Sequence, residues 1–168
     1  NKIYTNSNKM SQIIDKLRLT LKLEEGKQEL LLIPSSMKKL IETCISDLKD
    51  KYKNRQILIS GEDIHLKVDE TLISMAISNL IENALKYSEK EVIVSISKTS
   101  ICIIDKGIGI EANELEKINH KFYRVSNNGW NNSLGLGLFI VQSILNLHNF
   151  KLEISSELEK GSEFYIKY

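Results

Sequence analysis

The stretch Asn79-Leu80-Ile81-Glu82-Asn83-Ala84-Leu85-Lys86-Tyr87-Ser88 sets two amides, a lysine and a tyrosine, with Glu82 and Ser88, among apolar residues. Asn79, Asn83, Lys86 and Tyr87 recur at i, i+4, i+7 and i+8, so they share one face of a helix. Amide carbonyls are hard oxygen ligands that suit magnesium, and a lysine one turn on can meet a phosphate. Such a face can hold a metal and a nucleotide tail, although an ordinary polar helix face is the simpler reading of the segment standing alone.

Outward from this helix, Asp69 is placed to cap its start, and the helix runs through Lys86. Before it, residues 56–60 and 65–68 read as strands joined by the turn Gly61-Glu62-Asp63. Residues 29–33 read as a short strand ended by Pro34, with Ser35-Ser36 capping a helix from Met37 to about Tyr52. The basic cluster Lys49, Lys51, Lys53 and Arg55 at that helix's C-terminal end reads as a solvated face where cations favour the dipole. Ile3, Met10, Ile14, Leu17 and Leu21 mark one stripe of an N-terminal helix ending near Gly26, which suits either a partner helix or packing on its own domain.

Downstream, residues 91–98 and 100–105 form a predicted hairpin. A polar region, 106–133, follows, with one short helix expected over 113–118 and a lid-like loop over 126–133. A helix from Gly137 to about His148 and a second hairpin, residues 151–157 and 162–167, close the chain. The sum is α+β: one mixed, mostly antiparallel sheet with helices on one face.

Two further segments would be odd if they only packed. Asp105-Lys106-Gly107-Ile108-Gly109-Ile110 puts a carboxylate at the end of a buried strand before spaced glycines. The carboxylate can accept from an exocyclic amine, and missing Cβ atoms let a planar ring approach the backbone. Ser133-Leu134-Gly135-Leu136-Gly137-Leu138 leads glycines into a helix N-terminus, where free amides favour phosphate. No Gly-Lys-Ser/Thr follows, so this is no Walker loop, and the glycine spacing is not that of a dinucleotide fingerprint.

Composition narrows the classes. With 168 residues and 42% hydrophobic content the chain can bury a core without staples. Its 23 basic and 22 acidic residues leave a charge of +1, so nothing favours a polyanion such as DNA. Cys44 and Cys102 each sit in an apolar stretch and read as small buried residues. No run approaches the roughly 20 apolar residues that span a bilayer. Membrane attachment is expected only through segments outside this chain, which opens on Asn1 as a piece of a longer protein does. Asn131-Asn132-Ser133 matches a glycosylation pattern of little weight in a cytosolic protein.

In this order the three segments resemble the N, G1 and G2 boxes of the GHKL superfamily, which share the Bergerat ATP-binding fold, a two-layer α/β sandwich. Lys121-Phe122-Tyr123-Arg124 is similar to the F box of sensor histidine kinases, and the upstream stripe resembles the second helix of their dimerisation and phosphotransfer hairpin. The resemblance divides the chain into residues 1–26, that helix, and 27–168, the catalytic domain. It implies magnesium at Asn83, phosphates near Asn79, Lys86 and Arg124, and Tyr87 flanking the nucleotide. It further implies Asp105 on the adenine amine, Gly107, Gly109 and Ile110 lining the base pocket, Phe122 beside the nucleotide, and the backbone of Gly135, Leu136, Gly137 and Leu138 on phosphates. Asn79, Lys86 and Arg124 are thereby the expected catalytic residues, and ATP and Mg²⁺ the expected cofactors. Ser133 stands where many relatives have a glycine, and His148-Asn149-Phe150 replaces a His-Gly-Gly turn.

Hydrolysing members of the superfamily carry a glutamate base four residues before the magnesium asparagine, where this chain has Asn79. An amide cannot take a proton from water, and Glu82 lies about 100° away from Asn83 round the helix, so transfer to a protein histidine is expected instead. His65, His120 and His148 lack the acidic follower of the family acceptor, which is therefore expected upstream of Asn1. The expected partners are a second copy through the N-terminal helix and a response regulator receiver domain, with this domain in the cytoplasm and its parent an inner-membrane sensor. An anti-sigma-type serine kinase and a nucleotide-binding module without transferase activity share the boxes.

Overall fold

The computed structural model describes residues 2–26, 28–124 and 134–168. In chain order its elements are α1 (Lys2–Glu24), β1 (Ile33–Ser36), α2 (Met37–Lys49), β2 (Ile57–Gly61), β3 (His65–Val68), α3 (Glu70–Tyr87), β4 (Val92–Ile96), β5 (Ser100–Asp105), α4 (Gly137–Leu147), β6 (Lys151–Glu157) and β7 (Gly161–Lys167). Five strands form one sheet in the order β2-β4-β5-β7-β6, with β2 and β4 parallel and the other neighbours antiparallel. The α+β class holds, with the expected layer of helices on a mixed sheet.

Packing follows the two periodicities. Alternate residues Val92, Val94 and Ile96 of β4, and Phe164 and Ile166 of β7, are buried. Against this face lies α3, whose Ile73, Ile77, Leu80 and Ile81 have almost no exposure. It touches β4, β5, α2 and α4, which is why it is apolar around most of its girth. Each such side chain contributes roughly 1.5–3 kcal/mol on full burial, so the helix that carries the polar face is also the best anchored. His148 locks its start: buried at the end of α4, it accepts from the Asp69 N–H through Nε2 at 3.0 Å, while Nδ1 meets the Ile144 carbonyl at 2.8 Å.

Several expectations change. Residues 29–33 are not a strand before Pro34; the strand is Ile33–Ser36 and contains that proline, paired opposite Lys67. A two-stranded antiparallel ribbon of β1 and β3 leaves β1 with a free edge, where a residue without an N–H is tolerated. Upstream, the Leu31 N–H donates to Asp69 Oδ2 at 3.1 Å rather than to a ladder. The two strands expected on either side of the turn Gly61-Glu62-Asp63 form, as β2 and β3, and belong to different sheets. Residues 113–118 form successive turns, with bonds such as Lys117 N–H to Glu114 O at 2.9 Å, and no regular helix.

The basic cluster is not merely solvated. Arg55 donates to the carbonyls of Leu85 and Lys90, both at 2.7 Å, tying down the C-terminal end of α3, and Lys51 pairs with Glu82. Helix α1 uses two faces: Thr20 and Leu23 are buried against the domain, while Met10, Ile14, Leu17 and Leu21 stay exposed. Cys44 and Cys102 are buried and unpaired with each other. Among the described residues no helix is long and apolar enough to cross a membrane.

Candidate functional site

Among the described residues, the starts of α2, α3 and α4 are finished differently. Ser36 caps α2 by accepting from Lys39 N–H at 3.1 Å, and Asp69 caps α3 by accepting from Leu72 N–H at 3.1 Å. Helix α4 begins at Gly137 behind Leu136, which makes no side-chain cap bond. Its N-terminal amides open on a cavity of about 680 Å³ between α3, α4 and the turn after β5.

Of the residues singled out above, Asn79, Asn83, Lys86, Tyr87, Asp105, Gly109, Ile110, Arg124, Gly135, Leu136, Gly137 and Leu138 line this one cavity. Gly137 sits against the two amides: a Cβ there would lie 3.4 Å from Asn79 Oδ1 and 4.0 Å from Asn83 Nδ2. Asn79 Nδ2 donates to the Met75 carbonyl at 2.8 Å, which leaves its oxygen turned toward the start of α4.

Asp105 ends β5, buried at 4% exposure, with Oδ1 accepting from Gly107 N–H at 2.8 Å. Burial pushes its carboxyl above the usual carboxylate range, opposed by the amides of Gly107 and Ser162. The following loop is pinned to its neighbours: Ile108 N–H donates to Tyr87 O at 3.2 Å, and Ile110 N–H to Ser156 Oγ at 2.8 Å. A Cβ on Gly109, at φ +67°, would come within 2.0 Å of Glu157 O, so this backbone demands glycine.

Two of the expected residues fall outside the cavity wall. Gly107 lies behind it, packed so that a Cβ would meet Tyr87 O at 2.1 Å. Phe122 is 61% exposed with φ 62°, and its N–H donates to Gly135 O at 3.0 Å, fastening the segment before the lid-like loop to the segment after it. The expected loop itself, 126–133, and Ser133 lie outside the described residues.

The structure adds lining residues to which the sequence reading gave no part in the site. Tyr123 reaches the cavity and donates its hydroxyl to Glu114. Lys16 enters from α1, Lys51 from beyond the end of α2, and Glu82 from α3. The Glu82–Lys86 pair was legible as an i,i+4 neighbour, but Lys16 and Lys51 are brought in by tertiary packing alone. Burial would raise the Glu82 carboxyl, yet the Lys51 hydrogen bond and the Lys86 and Lys51 charges hold it below its usual range. Lys86 is held below the usual lysine range by burial, which the Glu82 charge partly offsets.

Among known proteins, the phosphate regulon sensor protein PhoR of Pseudomonas aeruginosa is 36% identical over 121 residues, covering 67% of this chain and 27% of its own. The heme sensor protein HssS of Staphylococcus saprophyticus is 29% identical over 174 residues, or 99% of this chain and 37% of its own. The chain thus spans well under half the length of these relatives. Its fold is that of full-length ShkA, solved in complex with AMPPNP, at a TM-score of 0.85 and 19% identity over 96% of this chain and 36% of that one. The Acinetobacter baumannii histidine kinase AdeS superposes over 99% of this chain and 82% of its own, with a TM-score of 0.75 and 19% identity. The family model described as histidine kinase-, DNA gyrase B-, and HSP90-like ATPase matches residues 68–168, from the end of β3 to the last residue, and the chain belongs to that family.

Proposed function

We infer that this chain is the ATP-binding catalytic domain of a sensor histidine kinase, with residues 27–168 holding the nucleotide and 1–26 the second helix of a dimerisation and phosphotransfer hairpin. The observation that carries the reading is the convergence on one cavity of a buried carboxylate, two amides, Lys86, Arg124 and the uncapped start of α4. The sensor kinases among the relatives, and the AMPPNP bound to ShkA, support it.

Asp105 accepts from the exocyclic amine of adenine, with Gly109 and Ile110 against the ring. Lys86 and Arg124 neutralise phosphate charge, and the open amides of α4 donate to phosphate oxygens. The donor set fits magnesium, which takes few protein oxygens beside phosphates: Asn83 supplies an amide oxygen, and Asn79 keeps its oxygen free because its nitrogen is engaged with Met75. When bound, the ion neutralises charge shared between neighbouring phosphates.

Water is a poor acceptor here. Asn79 cannot act as a base, and the one carboxylate beside Asn83, that of Glu82, is held by two lysines. The γ-phosphoryl group goes to an imidazole nitrogen, whose new bond to phosphorus replaces the bond to the bridging oxygen as ADP leaves. Neither His65, on β3, nor His120 lines the cavity, and His148 has both ring nitrogens in protein bonds. The acceptor therefore belongs to another part of the protein. The exposed Met10, Ile14, Leu17 and Leu21 stripe suits pairing with a second copy, and a response regulator takes the phosphoryl group on. Dependence on ATP puts the domain on the cytoplasmic side of whatever membrane its parent occupies.

Radiolabel transfer from ATP tests this. The chain alone should take no label, and a longer chain carrying the upstream helix should take acid-labile label. Acid-stable label on the 168 residues would favour a serine kinase instead.

A further inference from the structure

One carboxylate oxygen in the cavity wall gathers cations from elements far apart in sequence. Glu82 Oε1 receives the Lys51 ammonium, lies 3.7 Å from the Lys86 ammonium, and is 3.4 Å from the Tyr52 hydroxyl. The Glu82 side chain is 17% exposed and that of Lys86 26%, so the pair sits in the wall rather than on the rim. Lys51 comes from the solvent side, 61% exposed, with its ammonium on Glu82 and 5.5 Å from the centre of the Tyr52 ring. Lys16 of α1 lines the same space, close enough to add its field to both Glu82 and Lys86. Apart from Asp105 at the end of β5, Asp15 and Glu82 are the carboxylates lining the cavity, against Lys16, Lys51, Lys86 and Arg124. With Asp105 set aside, the side chains lining the cavity carry two positive charges in excess.

An ammonium has three donors, and the shared carboxylate oxygen takes one from Lys51 and meets Lys86 as an ion pair at 3.7 Å. The rest stay available to an anion, and a carboxylate that binds two ammonium groups at once keeps them together against their mutual repulsion. We propose that Glu82 is a positioning residue that holds Lys51 and Lys86 as a pair, and that the pair, with Lys51 as its added member, makes the cavity discriminate a nucleoside triphosphate from a diphosphate. This rests on the nucleotide reading above and extends it to Lys51, which lies outside the glycine and asparagine motifs, and to Glu82, to which the sequence reading gave no part in the site.

Calorimetric titration of the chain with ATP and with ADP, each with magnesium, measures the ratio of the two dissociation constants. Lys51→Met should lower the preference for ATP about tenfold, the scale of one charge-assisted hydrogen bond, by weakening ATP and leaving ADP nearly unchanged. Lys51→Arg should restore it, since the charge returns. Glu82→Gln should erode the preference in the same direction, with Glu82→Asp partly restoring it. Because Glu82 is half-enclosed, its variants risk poor folding, but Lys51 is exposed and its variants carry the test without them. Equal weakening of ATP and ADP in Lys51→Met, or no change in either, overturns the proposal while leaving the nucleotide site standing. Failure of the unaltered chain to bind either nucleotide overturns the nucleotide reading, and this proposal with it.

Discussion

The starts of α2 and α3 and the start of α4 are chemically the same problem solved in opposite ways. At α2 the hydroxyl of Ser36 accepts one orphan amide and Asp63 Oδ1 accepts that of Lys38 at 3.0 Å; at α3, Asp69 serves Leu72 and Leu31. Helix α4 has Leu136 in the capping position, 1% exposed and without a polar atom to offer. Unsatisfied helix amides normally find a side chain or water. Here they open on the same cavity as Asn79, Asn83 and Lys86, and in the proposed function an anion completes what the side chain does not. The contrast is between two helix starts closed by side-chain oxygens and one left to face the cavity.

Four substitutions separate the two kinds of helix end. Asn83→Ala should reduce magnesium-dependent ATP affinity by on the order of a hundredfold, the upper end of what lost metal-supporting contacts cost, and leave metal-free affinity nearly unchanged. Paired titrations with and without magnesium check this, and equal losses in both would reduce α3 to a packing element. Asp105→Asn should cost about 1.5–3 kcal/mol of ATP affinity, the scale of a hydrogen bond to a charged group. Its effect on stability has the opposite sign. Because the folded Asp105 carboxyl titrates above its unfolded value, its favourable contribution is present below the unfolded pKa and is lost as pH rises through the folded one. The Asn variant should therefore match or exceed the parent in stability at neutral pH and lose that advantage in acid, as denaturant melts across pH will show.

Asp69→Ala acts on the structural end. It strips an acceptor from both Leu72 and Leu31, so unfolding free energy should fall by about 1–2 kcal/mol, with ATP affinity of the folded protein unchanged. Gly137→Ala is the smallest and the most telling change. A methyl group fits a helix better than hydrogen, so stability should rise by about 0.5 kcal/mol, but that methyl stands 3.4 Å from Asn79 Oδ1. Nucleotide affinity should drop a few-fold while the melting temperature holds or climbs.

Much of this was legible because short-range chemistry decides it. Ser36 and Asp69 announce their helices, and β5 and β6 follow from runs whose apolar pattern leaves few alternatives. What escaped depends on distant partners. Residues 29–33 look like a strand by hydrophobicity alone, yet Leu31 is 74% exposed and its amide goes to Asp69. The separation of β2 from β3 reflects the parallel pairing of Ile57 with Val92, a contact no local pattern encodes. At the site, the shared face of Asn79, Asn83, Lys86 and Tyr87 was readable from spacing, the part expected of Phe122 and Arg124 came from the resemblance, and Gly107 and Phe122 lie behind or outside the cavity wall. Lys51 looked like one solvated lysine among several until Glu82, 31 positions away, gave its charge a place.

Amide resonances of the helix starts provide the most direct measurement. In a nitrogen-labelled chain titrated with magnesium and ATP, the signals of Gly137 and Leu138 should shift strongly and saturate with the bound fraction. Those of Lys39 and Leu72, whose amides already have acceptors in Ser36 and Asp69, should barely move. Adenosine, which lacks phosphates, should shift Gly109 and Ile110 but leave Gly137 in place. Equal movement of Gly137 with adenosine and with ATP, or none with either, would contradict the claim that the open end of α4 holds phosphate.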